Sequence, residues 1–321
     1  MIKMKIVVVD HVYLEEKHIK KLRTLGDLKV FKEPPKTSAE LKKRIGEAGI
    51  VIVGWSHLTR DIIDSAKKLK MISIWATTCH YADLEAAKER GIVVTHVPGY
   101  ATEAVAEYAF ALLLAAVRKL TLANKHVRNG LFDWRPFAGR ELAGKTLGVI
   151  GTGAIGCRMA EIGRTFRMHV LGYDKYPNQK RAAEAGIRYV DLNKLLKESD
   201  IVTIHVTLTS ETEKLIGKRE IANMKNGAVI VNTSQGKVID ETALAEALKS
   251  DKLSCAGLDV LQEEPPAKNN QLLKLDNTVL SPHIGFNTVE ATTRCTDICI
   301  ENVAKFLEGK QQNVCLTPEH V

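Results

Sequence analysis

One stretch constrains the fold of this chain more than any other. Leu147-Gly-Val-Ile150 is a short apolar run that enters Gly151-Thr-Gly153-Ala154-Ile155-Gly156, and a helical sequence, CRMAEIGRTF, follows at once. A strand, a glycine turn and a helix in that order are expected in a parallel α/β sheet. The first glycine makes the tight turn, the second lets backbone approach a pyrophosphate, and the third lets helix and strand pack closely. The start of the helix then offers free N–H groups and a positive dipole end to phosphates. A glycine-rich hexapeptide by itself can also serve simple chain reversal. Asp174 strengthens the dinucleotide reading: it ends the next apolar run, His169–Tyr173, 23 residues after Gly151. A carboxylate there hydrogen-bonds the adenosine ribose and repels the extra phosphate of NADP, so the expected cofactor is NAD. Lys175 pulls the other way, because a basic residue in that turn can tolerate a phosphate.

The same rhythm runs from end to end. Ile6–Val9, Ile50–Val53, Ile72–Ala76, Leu147–Ile150, His169–Tyr173, Ile201–His205, Ala228–Asn232, Ala256–Val260 and Thr278–Leu280 read as strands. Amphipathic segments such as Ala39–Ala48, Asp61–Leu69, Asp191–Glu198 and Glu241–Lys249 lie between them. Apolar strands separated by helices predict an α/β fold with parallel sheets covered on both faces. Two long helical stretches, Thr102–Arg128 and Val289–Leu307, break the rhythm and are expected to cross between two domains. A chain of 321 residues has room for two. The expected division is discontinuous: 1–100 with 289–321 in one lobe, 101–288 in the other.

Composition excludes several classes. The longest uninterrupted apolar run, Ala109–Val117, has nine residues, far short of the roughly 20 that span a bilayer. Met1–Asp10 turns acidic after four apolar residues and no small-residue cleavage site follows, so a soluble, non-secreted chain is expected. The net charge of +8 comes from scattered lysines at helical spacing beside glutamates, which reads as solvated helix faces and not as a nucleic-acid surface. The six cysteines form no CxxC pair and no metal spacing. Cys295 and Cys299, four apart, read as helix packing. No metal is expected, and reduced thiols in a cytoplasm fit this pattern.

Beyond the glycine loop, Asp83-Leu-Glu-Ala-Ala-Lys-Glu-Arg-Gly-Ile-Val-Val-Thr95, Pro98-Gly, Val105-Ala-Glu107, Gly139-Arg-Glu-Leu142, His205-Val-Thr-Leu-Thr209, Asn232-Thr-Ser-Gln-Gly236, Leu258-Asp-Val260, Glu264-Pro265 and Ser281-Pro-His-Ile-Gly285 follow one another. In order and spacing, over essentially the whole chain, they resemble the D-isomer-specific 2-hydroxyacid dehydrogenase family. The resemblance implies a flavodoxin-like and a Rossmann-like lobe, a discontinuous substrate lobe beside a central NAD-binding lobe, and a homodimer. It implies hydride transfer between NAD(H) and C2 of a small 2-oxo or 2-hydroxy acid. It puts Gly151, Gly153, Ala154, Ile155, Gly156, Asp174, His205, Val206, Thr207, Thr212, Asp259 and Gly285 on the cofactor side. Thr102, Thr233 and Ser234 would help hold the nicotinamide end.

Such chemistry needs a proton donor for the developing alkoxide, a partner that keeps the donor charged, and a group that holds the carboxylate. His283 matches the family's acid/base, since imidazole titrates near neutral pH. Glu264 matches the carboxylate that orients it and raises its pKa. The adjacent Glu263 is expected to face solvent. The third position departs from the family: Gln235 stands where the family carries an arginine. Glutamine loses the bidentate, charge-assisted contact. The cost is roughly 1.5–3 kcal/mol, or about one to two decades in rate.

The substrate loop departs too. Ala76-Thr-Thr78-Cys79-His80-Tyr81-Ala-Asp83 stands where the family has a Gly-rich turn, and Thr is poor in the left-handed conformations that Gly takes freely. Thr78, Cys79, His80 and Gln235 are the expected substrate contacts. His57, His80, Tyr81 and Trp55 would then shape a different pocket, while Trp134 is expected to pack the linker. Thr207 takes a place where the family often has Pro. Two alternatives stand beside the dehydrogenase reading: a non-standard oxo substrate, and a non-catalytic NAD-binding regulatory protein on the same scaffold.

Overall fold

The computed structural model describes residues 4–315. They divide into two compact units, 4–101 with 288–315 and Thr102–Asn287. The ends of the expected substrate lobe, 1–3 and 316–321, lie outside the described residues.

Unit 1 is a five-stranded parallel sheet. Its strands are β1 (Lys5–Val8), β2 (Asp27–Val30), β3 (Ile50–Val53), β4 (Met71–Ile74) and β5 (Val93–Thr95). They lie in the order β2-β1-β3-β4-β5. The helices α1 (Glu16–Leu25), α2 (Ser38–Ile45), α3 (Arg60–Ser65) and α4 (Leu84–Glu89) connect them. Period-two alternation splits each strand between two faces. Val7, Val51 and Ile72 share one core with Leu41, Ile45, Ile63 and Ala86 of the covering helices. The helix Val289–Leu307 belongs to this unit and packs on β4 and α1. Trp75 Nε1 donates to its Thr296 Oγ1 at 2.9 Å, and Cys299 Sγ lies 3.0 Å from Ser73 Oγ. Cys295 and Cys299 are both buried there, as helix packing requires.

Unit 2 opens with α5 (Thr102–Val117) and α6 (Leu120–Arg128). One continuous helix was expected over this stretch. The break lies at Lys119, which is left-handed at φ 51°, and the Val117 carbonyl accepts from Arg140 N instead of continuing the helical ladder. The following segment corrects a second expectation: Trp134 is 85% exposed and packs no linker. Then come β6 (Thr146–Ile150), α7 (Ala154–Thr165), β7 (His169–Tyr173), α8 (Gln179–Ala185), β8 (Arg188–Tyr189), α9 (Leu192–Glu198) and β9 (Ile201–Ile204). After them follow α10 (Lys218–Asn223), β10 (Ala228–Asn232), α11 (Glu241–Lys249), β11 (Leu253–Leu258) and β12 (Thr278–Leu280). The seven strands are parallel, in the order β12-β11-β10-β9-β6-β7-β8. Leu147, Val149, Val229 and Val231 pack one face with α5 and α7, while Ile150, Val202, Ile204 and Ile230 pack the other with α9 and α11.

Both sheets have a topological switch point, where the chain leaves one side of the first strand and returns on the other. Ligands in open α/β sheets bind at such points, beyond the carboxyl ends of the strands. In unit 1 the point lies between β1 and β3. There the buried Asp10 accepts from Gly54 N, Trp55 N and Ser56 N at 2.7, 3.0 and 2.6 Å. In unit 2 it lies between β6 and β9.

The expectation of uniformly reduced thiols does not hold. Cys79 and Cys315 form a disulfide across 236 residues of sequence, with Cα atoms 6.1 Å apart, while the other four cysteines are free and buried. Motif spacing cannot reveal such a pair, because it arises from the chain's last described residues returning along β5.

Candidate active site

The glycine loop sits at the switch point of unit 2. Gly151, at φ 89°, needs the left-handed region, and a Cβ there would lie 2.7 Å from the His205 carbonyl carbon and 2.8 Å from Val206 N. A Cβ on Gly156 would lie 1.9 Å from Gly151 O, so α7 can approach β6 only with glycine there. Gly153 caps α7 without a side chain, which leaves the N–H groups of Ala154, Ile155 and Gly156 for another acceptor. A Cβ on Gly153 would meet nothing within 4 Å, so the space over that helix end is open.

Asp174, at the end of β7, is tied to this loop. Its Oδ2 accepts from Thr152 N and Thr152 Oγ1 at 2.7 and 3.1 Å, and its Oδ1 accepts from Tyr176 N. Thr152 also bonds Tyr189 OH at 2.6 Å. The carboxylate is thereby held beside the second position of the glycine loop. Lys175 forms an ion pair with Glu211. His205, at the end of β9, lies 2.9 Å from Thr203 Oγ1, and burial keeps its imidazole neutral, with a pKa pushed down to about 4. Thr207 is exposed, and its carbonyl accepts from Thr212 Oγ1, which closes the turn after Val206. Thr233 Oγ1, just past β10, is buried without a hydrogen-bond partner. A polar atom in that state has room to bond a water or a ligand group. This hydroxyl, the open helix end and the Asp174 carboxylate are compatible with a bound dinucleotide.

A second cluster forms on the loops after β10, β11 and β12. His283 Nδ1 donates to Glu264 Oε2 at 2.8 Å, which leaves Nε2 as the ring nitrogen available for proton transfer. The Glu264 hydrogen bond is the main cause of a raised His283 pKa; burial works against it and the Glu264 charge adds to it. Burial pushes Glu264 upward, but the hydrogen bond and charge of His283, with Leu261 N, outweigh it and hold the carboxyl below its usual value. Glu263 is exposed. His283 itself is left-handed, at φ 54°, an uncommon conformation for a residue with a Cβ.

Asp259, 3% exposed, holds that backbone in place. Its carbonyl accepts from His283 N at 2.8 Å. Its Oδ1 accepts from Ser281 Oγ and Ile284 N at 2.6 and 2.9 Å, and its Oδ2 accepts from Gly285 N at 2.7 Å. Expected on the cofactor side, Asp259 holds the 281–285 backbone that carries His283.

Gln235 follows β10 in a turn fixed by Asn232. The Asn232 side chain donates to Gln235 O at 3.0 Å and accepts from Ser234 N and Oγ at 2.9 and 2.8 Å. Gly236 allows the turn to lie against Leu261, whose N–H donates to Glu264 Oε1 at 3.1 Å. Unit 2 therefore brings together the turn that carries Gln235, the Glu264–His283 pair and Asp259. Sequence reasoning passed over the side chains of Asn232, Ser281 and Thr152. They were quoted inside motifs, but nothing in one sequence says which motif residues turn inward.

Thr78, Cys79 and His80 lie in unit 1, on the loop after β4, while Thr102 opens α5 of unit 2. Among the described residues no position from Thr77 to Ala82 has a left-handed φ, so the loop does not need the glycine it lacks. Cys79 contributes a disulfide sulfur there and not a thiol. His57, His80 and Tyr81 are gathered as expected: His80 stacks on Tyr81 at 4.3 Å between centroids, and His57 lies 5.2 Å from Tyr81. Among the described residues no helix is long and apolar enough to cross a membrane.

Comparison with known proteins bears on this geometry. The family profile described as D-isomer specific 2-hydroxyacid dehydrogenase, NAD binding domain, matches residues 110–285. The D-3-phosphoglycerate dehydrogenase of Methanocaldococcus jannaschii is 41% identical over 318 residues, covering 98% of this chain and 60% of that protein. In a second such dehydrogenase, from Archaeoglobus fulgidus, the match covers 49% of its length, so the chain spans about half to three-fifths of these relatives. The glyoxylate reductase of Korarchaeum cryptofilum is 37% identical, with 92% of this chain and 91% of that protein covered. Among solved structures, an acyclic imino acid reductase in complex with NADPH and D-Arg matches with a TM-score of 0.89 and 36% identity, over 98% of this chain and 100% of the other. With the glycine loop, the Asp174 carboxylate at the end of β7 and the two parallel sheets in place, the chain belongs to the D-isomer-specific 2-hydroxyacid dehydrogenase family, and unit 2 contains its NAD-binding domain.

Proposed function

We propose that this protein is an NAD-dependent oxidoreductase that moves a hydride between NAD(H) and C2 of a 2-hydroxy or 2-oxo acid. Unit 1 is the substrate domain and unit 2 the dinucleotide domain. The observation that carries the reading is the His283–Glu264 pair, because a protein that only binds NAD has no need of a proton relay. Bound NADH supplies the hydride that goes to C2. His283 gives its Nε2 proton to the former carbonyl oxygen, so C=O becomes CH–OH, and takes it back in the oxidation. Glu264 keeps the ring oriented and its charged form favoured. Gln235, on the turn held by Asn232, donates its side-chain amide to the substrate carboxylate or carbonyl. In unit 1 the loop after β4, which carries Thr78 and His80, is read as the substrate loop. Asp174 selects NAD over NADP.

The test follows NADH absorbance while the protein is offered glyoxylate, hydroxypyruvate, pyruvate, a branched-chain oxo acid and phenylpyruvate, with 3-phosphoglycerate and NAD for the reverse direction. His283→Asn serves as the blank. Turnover that depends on His283 establishes the dehydrogenase; silence across the panel with NADH bound removes this reading.

Gln235 itself favours a second reading. A protonated 2-imino acid carries a cation beside its carboxylate, which an arginine would repel and a neutral glutamine would not. One similar structure is an acyclic imino acid reductase. Repeating the panel with ammonium or methylamine separates the two: NADH consumption that requires the amine assigns C=N reduction.

The reading includes a homodimer through unit 2. Leu120, Val127, Leu131, Phe132 and Trp134 lie close together in sequence and are each more than half exposed, as a covered apolar surface would be in an isolated chain. Sedimentation at micromolar concentration decides it, and a monomer refutes it. Cytoplasmic residence fits the four unpaired cysteines, while the Cys79–Cys315 disulfide counts against it.

A further inference from the structure

We propose that Cys79 and Cys315 form a thiol–disulfide switch, which ties the loop after β4 to the chain segment 311–315 and sets how firmly that loop is held. The proposal rests on the reading above in one respect: it takes residues 76–82 as the substrate loop.

Three features support it. First, the two partners are the least buried of the six cysteines. Cys79 and Cys315 are half-buried, while Cys157, Cys255, Cys295 and Cys299 are buried. Burial also pushes those four thiols upward, Cys299 to about 12, which leaves them unreactive.

Second, the segment that delivers Cys315 is placed independently of the disulfide. Cys315 N donates to Val94 O at 2.8 Å, Val314 forms an antiparallel bridge with Thr95, and His96 N donates to Asn313 O. Asn302, 1% exposed on the helix Val289–Leu307, uses its whole amide on this arrangement. It donates to His96 O and accepts from Gln312 Nε2 and Asn313 Nδ2 at 2.9, 3.1 and 2.9 Å. Reduction therefore leaves Cys315 beside its partner, and the bond can close again.

Third, the loop is held by hydrogen bonds at both ends and, within it, by a long bond from Ala82 N to Cys79 O at 3.3 Å, and the disulfide acts between the two ends. Ala76 O accepts from Val97 N and Thr77 O from His96 Nδ1; on the far side Leu58 N donates to Tyr81 O. Cys79 Sγ ties the residues between these anchors to segment 311–315. His80 is the next residue and stacks on Tyr81 beside His57. Releasing Cys79 releases the backbone that aims His80.

The chemistry balances as ordinary exchange. A low-molecular-weight thiolate attacks one sulfur, the other leaves as a thiolate and is protonated, and a second thiolate releases the mixed disulfide. The protein disulfide gains two electrons and two protons, and the reagent becomes its own disulfide. That disulfide reverses the step. Both sulfurs belong to half-buried residues, less enclosed than the four buried thiols.

The experiment uses the full chain, purified without reductant. Alkylation under denaturing conditions followed by intact mass should find four free thiols, and six after dithiothreitol. Hydrogen exchange at residues 77–82 should rise on reduction and in Cys315→Ser. For the substrate found in the panel, KM should rise about tenfold, the weight of one neutral hydrogen bond. NADH affinity should not change, and dithiothreitol should add nothing to Cys315→Ser. Six free thiols before reduction overturn the proposal, as does a disulfide whose reduction changes neither exchange nor KM. If no substrate turns over, the functional reading fails by itself, and exchange at 77–82 alone then decides the switch.

Discussion

Asp259→Asn tests whether the acid/base is held by a buried carboxylate. The two side chains have nearly the same shape, so the change removes a charge and turns one acceptor into a donor. Oδ1 loses the charge from its bonds to Ser281 Oγ and Ile284 N, and the new amide N–H₂ faces Gly285 N, donor against donor. A hydrogen bond to a charged group contributes about 1.5–3 kcal/mol, and an unpaired buried donor costs about 1–3 kcal/mol. Set against the desolvation that the charge no longer imposes, the net loss is about 3 kcal/mol. For a unit the size of Thr102–Asn287 this lowers its melting temperature by about 6–12 °C. The catalytic effect is separate. With the Asp259 side chain weakened, His283 keeps its main-chain bond to Asp259 O and its bond to Glu264, but the flanking 281–285 backbone that sets φ 54° loses its charged anchor, and a displacement of about 1 Å costs kcat roughly a hundredfold. Calorimetry reads the first effect and NADH consumption the second. A melting change under about 2 °C with kcat within twofold would refute the assignment of Asp259 as the positioning residue.

Glu264→Gln should move the alkaline fall in kcat/KM for reduction to lower pH. Protonated His283 is the working form, its pKa is raised chiefly by Glu264, and activity is lost as pH rises through that value. An unchanged pH profile would mean that the pair is not the relay. Asp174→Ser should raise the NADP-to-NAD ratio of kcat/KM by about ten- to a hundredfold, the weight of one charged hydrogen bond. It should also weaken NAD binding, because Thr152 loses its anchor. A native protein that already prefers NADP would contradict the ribose argument. Gly156→Ala places a Cβ 1.9 Å from Gly151 O where 3.4 Å is ordinary contact, so α7 must retreat by about 1.5 Å. The NADH dissociation constant should rise about tenfold or more, read by fluorescence titration, and an unchanged value would show that the helix end does not touch the cofactor.

Local chemistry made much of this legible in the sequence. The glycine loop announces itself, because a tight turn, a close backbone approach and a helix–strand contact each require glycine at a fixed spacing. His283 and Glu264 could be named from their motifs, and they do meet at 2.8 Å. Features that depend on distant partners were hidden. Asp27–Val30, Val93–Thr95 and Arg188–Tyr189 are short strands of two to four residues, all three at sheet edges, and each is too short to carry a readable alternation. The break at Lys119 depends on Arg140, 21 residues later, reaching the Val117 carbonyl. Trp134 reads as packing the linker from its side chain, and only the fold places it on the surface. The Cys79–Cys315 bond spans 236 residues, a pairing that no local pattern encodes.

The discontinuity of unit 1 has a consequence for synthesis on the ribosome. Its sheet emerges within the first 101 residues, but the helix that covers β4 ends at Leu307. Elongation at about 5–20 residues per second puts about 10–40 s between the two. Through that interval Trp75 has no Thr296 to receive its N–H, and the face holding Met71 and Ser73 lies open. Unit 2 carries all of its own elements and can close as soon as it is made. Strands of unit 1 are thus made before unit 2 but covered only after it, and truncation before Val289 should expose apolar sheet to chaperones or aggregation while leaving the nucleotide-binding unit folded.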